Sequence, residues 1–187
     1  RAVVLNGHGI RQLVVSQRHP VPVIDRAAGS QKCPLLLDLQ LKRIHIFLAF
    51  DGEYIRLEPH ETKLLPTGIA SAFEPGYYFQ IQERGSTGSR GIGKRCGVID
   101  SGYRGEWFVP MTNLNTVPLY FAKESAGEYL EGLKERGERF NVYYITKAVC
   151  QAVLLPVPET EITEIPYDEL MEMKSLRMTG SLGSSGK

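Results

Sequence analysis

From Tyr54 onward, apolar and polar positions alternate in short runs broken by turn residues. Tyr54-Ile-Arg-Leu57 alternates, Thr62–Pro66 and Gly68–Phe73 follow, and Tyr77–Gln82 alternates again. A period of two is the mark of a strand with one buried face. Glu58-Pro59-His60 and Glu74-Pro75-Gly76 have turn chemistry, and Asp51-Gly52 is a hairpin signal. Gly85–Gly97 carries five glycines and is predicted as a loop. Val98-Ile99 and Trp107–Met111 read as strands on either side of a further glycine turn, and Val142–Thr146 and Val149–Val157 follow. Short strands at a spacing of about ten residues predict an all-β barrel or sandwich.

One segment departs from this pattern. Ser125 with Glu128 three residues later reads as a capping box. Tyr129, Leu130 and Leu133 then share one helical face, and Gly137 ends the element. Before residue 51 the pattern is harder to read. Ala2–Leu5, Leu13–Ser16, Leu35–Leu37 and Ile44–Phe50 are predicted as strands, with His19-Pro20-Val21-Pro22 extended between them.

Composition narrows the class. The 187 residues are 42% apolar and 23% charged, with a net charge of +1, which suits one globular domain and excludes a wholly disordered chain. No apolar stretch approaches the roughly 20 residues of a membrane span, and no basic-then-apolar leader opens the sequence. Cys33, Cys96 and Cys150 are too few and too scattered for a disulfide framework or a four-thiolate zinc site, so a cytoplasmic protein is expected. Residues 1–50 have a net charge of +5 and the remainder −4. The basic residues are dispersed and not interleaved with aromatics, so a solvated segment is the expectation, with neither a nucleic-acid nor a membrane partner.

The densest chemistry is Gly97-Val-Ile-Asp-Ser-Gly-Tyr-Arg-Gly-Glu106. A carboxylate at a strand end beside a glycine turn and a tyrosine could act as general base on water. Spacing alone favours a plainer reading, in which Asp100 and the glycines simply make a tight hairpin.

This stretch resembles the third motif of the trimeric dUTP pyrophosphatases (dUTPases). Three further segments fall in that family's order. Residues 57–70 are similar to the stretch between its first and second motifs, Arg84-Gly-Ser-Thr-Gly-Ser-Arg-Gly-Ile92 resembles the second, and Arg177–Gly186 resembles the glycine-rich C-terminal arm. The resemblance spans residues 53–186 and implies a jelly-roll-like all-β fold in a homotrimer with shared active sites. It implies hydrolysis of dUTP to dUMP and pyrophosphate, with Mg²⁺ held mainly by the triphosphate. Such an enzyme would clear dUTP from the nucleotide pool and supply dUMP for thymidylate synthesis.

By position, the resemblance makes Asp100 the base that orients and deprotonates the attacking water. Tyr103 becomes the ring that packs on deoxyribose and excludes a 2′-hydroxyl, and the backbone of Gly97, Val98 and Ile99 reads uracil. Arg84 and Ser86 become triphosphate ligands, and Gln151 matches the fourth motif. In the arm, Arg177 would neutralise the terminal phosphate, Leu182 would cover the base, and Gly183, Ser184 and Ser185 would wrap the phosphates. The domain would run over residues 1–173 with the arm at 174–187.

The departures are specific. Gly85 stands where the family has serine, and Thr146-Lys147-Ala148 replaces the Gly-Asp-Arg expected before Gln151. The helical segment at 124–140 reads as an insertion, as in some phage members. No residue is assigned to the first motif: His45 falls at its aspartate by spacing, and Asp38 and Arg26–Gly29 are other positions. A dCTP deaminase-like enzyme and a catalytically degraded scaffold that binds a regulatory partner are the competing readings.

Overall fold

The computed structural model describes residues 43–95 and 97–174 in full, and the backbone of 2–7, 10–17 and 35–38. The chain divides after Val157 into Arg1–Val157 and Pro158–Lys187. Within the described part of the second unit, Tyr167–Glu172 forms a short helix with no buried residues.

The first unit is built from fourteen strands among its described residues. They are β1 (Ala2–Gly7), β2 (Ile10–Gln17), β3 (Leu35–Asp38), β4 (Arg43–Ile46), β5 (Tyr54–Leu57), β6 (Thr62–Pro66) and β7 (Ile69–Ala72). After these come β8 (Tyr77–Gln82), β9 (Ile92–Lys94), β10 (Val98–Asp100), β11 (Phe108–Asn113), β12 (Leu119–Ala122), β13 (Asn141–Tyr144) and β14 (Cys150–Pro156). The five-stranded sheet runs β10-β8-β14-β4-β3, and three-stranded sheets run β1-β2-β7, β6-β11-β9 and β13-β12-β5. Every pairing is antiparallel except β12 with β13. The all-β, jelly-roll-like expectation holds.

The core follows from the alternation. Phe79 and Ile81 of β8, Ala152 of β14 and Ile44 and Ile46 of β4 point inward, to meet Leu57, Leu65, Ile69, Val109 and Phe121 from the other sheets and Trp107 just ahead of β11. Phe79 links Phe73 and Trp107, with ring centroids 5.1 and 5.0 Å away. Trp107 is buried and donates its indole N–H to Ser71 Oγ at 3.1 Å. This leaves its one polar group satisfied in an apolar surround.

A second cluster seats the inserted helix α1 (Gly127–Glu135). Leu130 and Leu133 face Tyr120, Ala122 and Ala126, with Tyr54 and Phe140 at the margin. Burying each leucine stabilises by about 1.5–3 kcal/mol. The predicted capping box does not form: Ala126 is the N-cap, and the Ser125 hydroxyl donates instead to the Glu53 carboxylate. The 3₁₀ turn Glu124–Ala126 ahead of α1 places Ser125 too early to cap it. At the other end Gly137, at φ 78°, donates to the Lys134 carbonyl while Glu138 N–H reaches that of Leu133. That is the Schellman arrangement, which favours glycine in the left-handed region.

Two more expectations change. Asp51-Gly52 is a bend between sheets, since β4 pairs with β3 and β14 whereas β5 pairs with β12. The glycine-rich stretch after Glu83 is not all loop: it holds a single helical turn, Gly85–Gly88, and β9.

Candidate functional site

Asp100 ends β10, an edge strand, and stands opposite Tyr78 in β8. Cross-strand partners share a face. With Phe79 and Ile81 turned inward, Tyr78, Gln80 and Gln82 face outward, and so do Val98 and Asp100. On the other side of β8, Gln151 of β14 is opposite Gln82, and His45 of β4 is opposite Gln151. One outward sheet face therefore carries Asp100, Gln151 and His45. His45, the position where spacing expects the first motif, is brought beside the fourth-motif glutamine.

The backbone of β10 divides by alternation. The Ile81 N–H donates to the Gly97 carbonyl at 2.7 Å, with Gln80 Nε2 also donating to it at 3.1 Å. In an antiparallel ladder bonded pairs alternate with unbonded ones. Gly97 and Ile99 thus aim their polar groups at β8, and Val98 and Asp100 aim theirs at the open edge. The Ile99 side chain packs on the core. Of the three backbones predicted to read a base, the edge geometry leaves Val98 available.

Beyond Asp100 the chain turns at once, with the Tyr103 N–H returning to the Asp100 carbonyl at 3.1 Å. Arg104 Nη1 donates to the carbonyls of Ser101 at 2.5 Å and Tyr103 at 3.1 Å. The Tyr103 ring is exposed, yet its hydroxyl is fixed on the Glu106 carbonyl at 2.9 Å. The turn thus presents an exposed carboxylate and an anchored aromatic face three residues apart.

The second cluster lies at the far end of β8. Arg84 Nη1 donates to the Ala148 carbonyl at 3.0 Å, and the buried Tyr143 hydroxyl donates to the same oxygen at 2.8 Å. Gln151 Nε2 donates to the Glu83 carbonyl at 3.1 Å. Arg84 and Gln151 are therefore tied together through backbone on both sides. In the helical turn after Arg84, Thr87 is buried with its hydroxyl on the Arg84 carbonyl at 2.9 Å, and Ser86 is exposed. The serine displaced by one residue is the one that faces out.

Four residues along β8 and one strand to either side separate the Asp100 turn from Gln151. That is about 14 Å along the sheet and about 10 Å across it. A single chain does not bring the carboxylate and the Arg84–Gln151 pair face to face. Arg177, Leu182, Gly183, Ser184 and Ser185 lie outside the described residues, as do Cys33 and Cys96. Sequence reasoning missed Tyr143 and, although Glu106 closes the densest stretch, gave it no role; the Tyr143 hydroxyl and the Glu106 carboxylate both bond to backbone groups.

Among the described residues no group of three or more His, Cys, Asp or Glu could hold a metal ion, and no helix is long and apolar enough to cross a membrane. A cavity of about 430 Å³ is lined by residues 89–92, Asn115, Leu119, Asn141 and Val142, none of them a predicted site residue.

No family model matches the chain. In fold it is similar to the dUTPase of Staphylococcus bacteriophage 80alpha with dUPNHPP: TM-score 0.59 at 19% identity, covering 94% of this chain and 98% of that one. The fold is thus that of an all-β dUTPase. The sequence is 33% identical over 135 residues to the deoxyuridine 5′-triphosphate nucleotidohydrolase of Gloeobacter violaceus, covering 71% of this chain and 74% of that protein. It is 31% identical over 157 residues to the enzyme of that name from Wolbachia pipientis, covering 82% and 86%. The chain belongs to the deoxyuridine 5′-triphosphate nucleotidohydrolase family.

Proposed function

We infer that this chain hydrolyses dUTP to dUMP and pyrophosphate, using Asp100 as the base. The observation that carries the reading is the tight turn at a strand edge that holds the exposed Asp100 carboxylate and, three residues on, the anchored Tyr103 ring. Asp100 takes a proton from water as the water oxygen bonds to the α-phosphorus. The bond from that phosphorus to the bridging oxygen breaks, and pyrophosphate leaves. The substrate would enter as its Mg²⁺ complex, in which the cation would offset phosphate charge.

Specificity follows from the same turn. The Val98 N–H and carbonyl at the open edge of β10 present one donor and one acceptor, matching an acceptor and the N–H of uracil. The Tyr103 face packs on deoxyribose, where a 2′-hydroxyl finds no partner. Arg84 brings a planar donor fork with one nitrogen already anchored, and Ser86 a hydroxyl, both suited to phosphate oxygens. Gln151 supports them. Arg177 neutralises the terminal phosphate, and Leu182 with Gly183, Ser184 and Ser185 closes over the nucleotide. Because the two clusters stand apart in one chain, the complete site joins the Asp100 turn of one subunit to the Arg84–Gln151 cluster of another in a homotrimer.

The test is pyrophosphate release from dUTP, dCTP, dTTP and UTP with Mg²⁺, measured side by side. Turnover of dUTP alone is the expected result. Tight dUTP binding without turnover would make the chain a regulatory scaffold, and ammonia release from dCTP would make it a deaminase.

A further inference from the structure

Glu106 joins the turn that carries Tyr103 to the interior. Its Oε1 accepts the Gly68 N–H at 2.8 Å and the Thr67 N–H at 3.1 Å. Its own carbonyl accepts the Tyr103 hydroxyl at 2.9 Å. Both of its ends are therefore engaged, one on the bend between β6 and β7 and one on the exposed ring.

That bend is itself rigid. Thr67 is fully buried, and its hydroxyl donates to the Trp107 carbonyl at 2.6 Å while accepting the Ile69 N–H at 3.2 Å. The Trp107 N–H returns to the Ile69 carbonyl at 2.8 Å, and the Ala49 N–H donates to that of Pro66 at 3.0 Å. Gly68 sits at φ 68°, which holds its N–H toward Glu106 in a backbone that other residues rarely adopt. Gly105 leaves the room the ring needs, since a Cβ there would stand 2.4 Å from the Tyr103 hydroxyl oxygen.

We propose that Glu106 is a positioning residue for sugar discrimination, clamping Tyr103 to the Thr67–Gly68 bend so that the ring holds one orientation against the substrate. An exposed tyrosine otherwise samples several rotamers, and a ring free to swing opens space for a 2′-hydroxyl. Glu106 touches no substrate and acts through Tyr103. This rests on the reading above, in which Tyr103 faces deoxyribose.

The experiment measures kcat and KM for dUTP and UTP with the full chain and with Glu106→Ala, Glu106→Gln and Tyr103→Phe. The ratio of kcat/KM for dUTP over UTP is expected to fall about tenfold in Glu106→Ala, the scale of a modest loss of pocket discrimination. Glu106→Gln restores it, because one amide oxygen accepts the same two N–H groups. Tyr103→Phe lowers the ratio in the same direction, since it keeps the ring and loses only the anchor. A folded Glu106→Ala with an unchanged ratio overturns the proposal, as does a Glu106→Gln as poor as Glu106→Ala. Should Glu106→Ala not fold, an unchanged ratio in Tyr103→Phe overturns it. A wild-type chain that does not prefer dUTP over UTP contradicts the reading of Tyr103 itself, which separates that failure from a failure of the clamp.

Discussion

Arg84 and Tyr143 donate to one acceptor, the buried carbonyl oxygen of Ala148, at 3.0 and 2.8 Å. Ala148 ends the Thr146-Lys147-Ala148 stretch that stands where the family resemblance expects Gly-Asp-Arg. The departure in sequence is thus accompanied by a backbone anchor, the Ala148 carbonyl, which holds Arg84. Its other guanidinium nitrogens stay available to a phosphate.

This arrangement predicts the effect of removing one donor. Tyr143→Phe deletes a buried hydroxyl bond worth about 1 kcal/mol of stability. Arg84 keeps its bond to Ala148 and the fold persists, but the anchor loses its second support. Steady-state kinetics is expected to show KM for dUTP rising a few-fold with kcat nearly unchanged.

Asp100→Asn tests the base. The side chain is exposed at a strand end and the substitution preserves its shape, so the fold is retained. Turnover of dUTP is expected to fall by about 100-fold or more, the scale of general-base catalysis. Calorimetry should find nucleotide binding retained, and full activity in this variant would remove Asp100 from the mechanism.

The core makes a separate prediction. Trp107→Phe empties part of the space beside Phe79 and leaves the buried Ser71 hydroxyl without the indole N–H. The combined cost is about 2–4 kcal/mol. Chemical denaturation should show a lower midpoint at unchanged slope.

Alkaline pH should loosen the inserted helix. The Tyr54 phenol is raised above its ordinary 10.0, first by its hydrogen bond with Tyr129 and then by burial. Tyr120 is raised mainly by burial. A raised pKa means that the fold favours the neutral phenol. The stabilisation is therefore complete below pH 10.0 and is lost as pH climbs through the raised values. Thermal melts across this range are expected to show falling stability, and a smaller fall in Tyr129→Phe, which removes the phenol partner.

Much of this was legible in the sequence. Alternation located β8 because Phe79 and Ile81 are buried while Tyr78, Gln80 and Gln82 are not. The Asp100-Ser-Gly-Tyr103 turn was legible because its residue types are those a tight turn demands. By contrast, all four residues of β12 are buried, so the strand has no alternating signature. The three residues of β9 are too few to show a period among glycines. Asp51-Gly52 has the chemistry of a hairpin, but each neighbouring strand finds its partners in another sheet. Ser125 has the chemistry of a cap but spends its hydroxyl on Glu53. The roles of Tyr143 and Glu106 could not be found from types and spacing, because their partners are backbone groups brought close only by the fold.

The most direct test of the central claim is subunit complementation. Asp100→Asn and Arg84→Ala chains, each assayed alone, are expected to turn over dUTP about 100-fold or more slowly than the unaltered chain. Mixed in equal amounts, unfolded and refolded together, they are expected to regain pyrophosphate release at about a quarter of the sites, those where an intact Asp100 turn meets an intact Arg84 cluster of a neighbour in a symmetric ring. No activity in the mixture, with each variant assembled, would place both clusters of a working site in one chain and contradict the account.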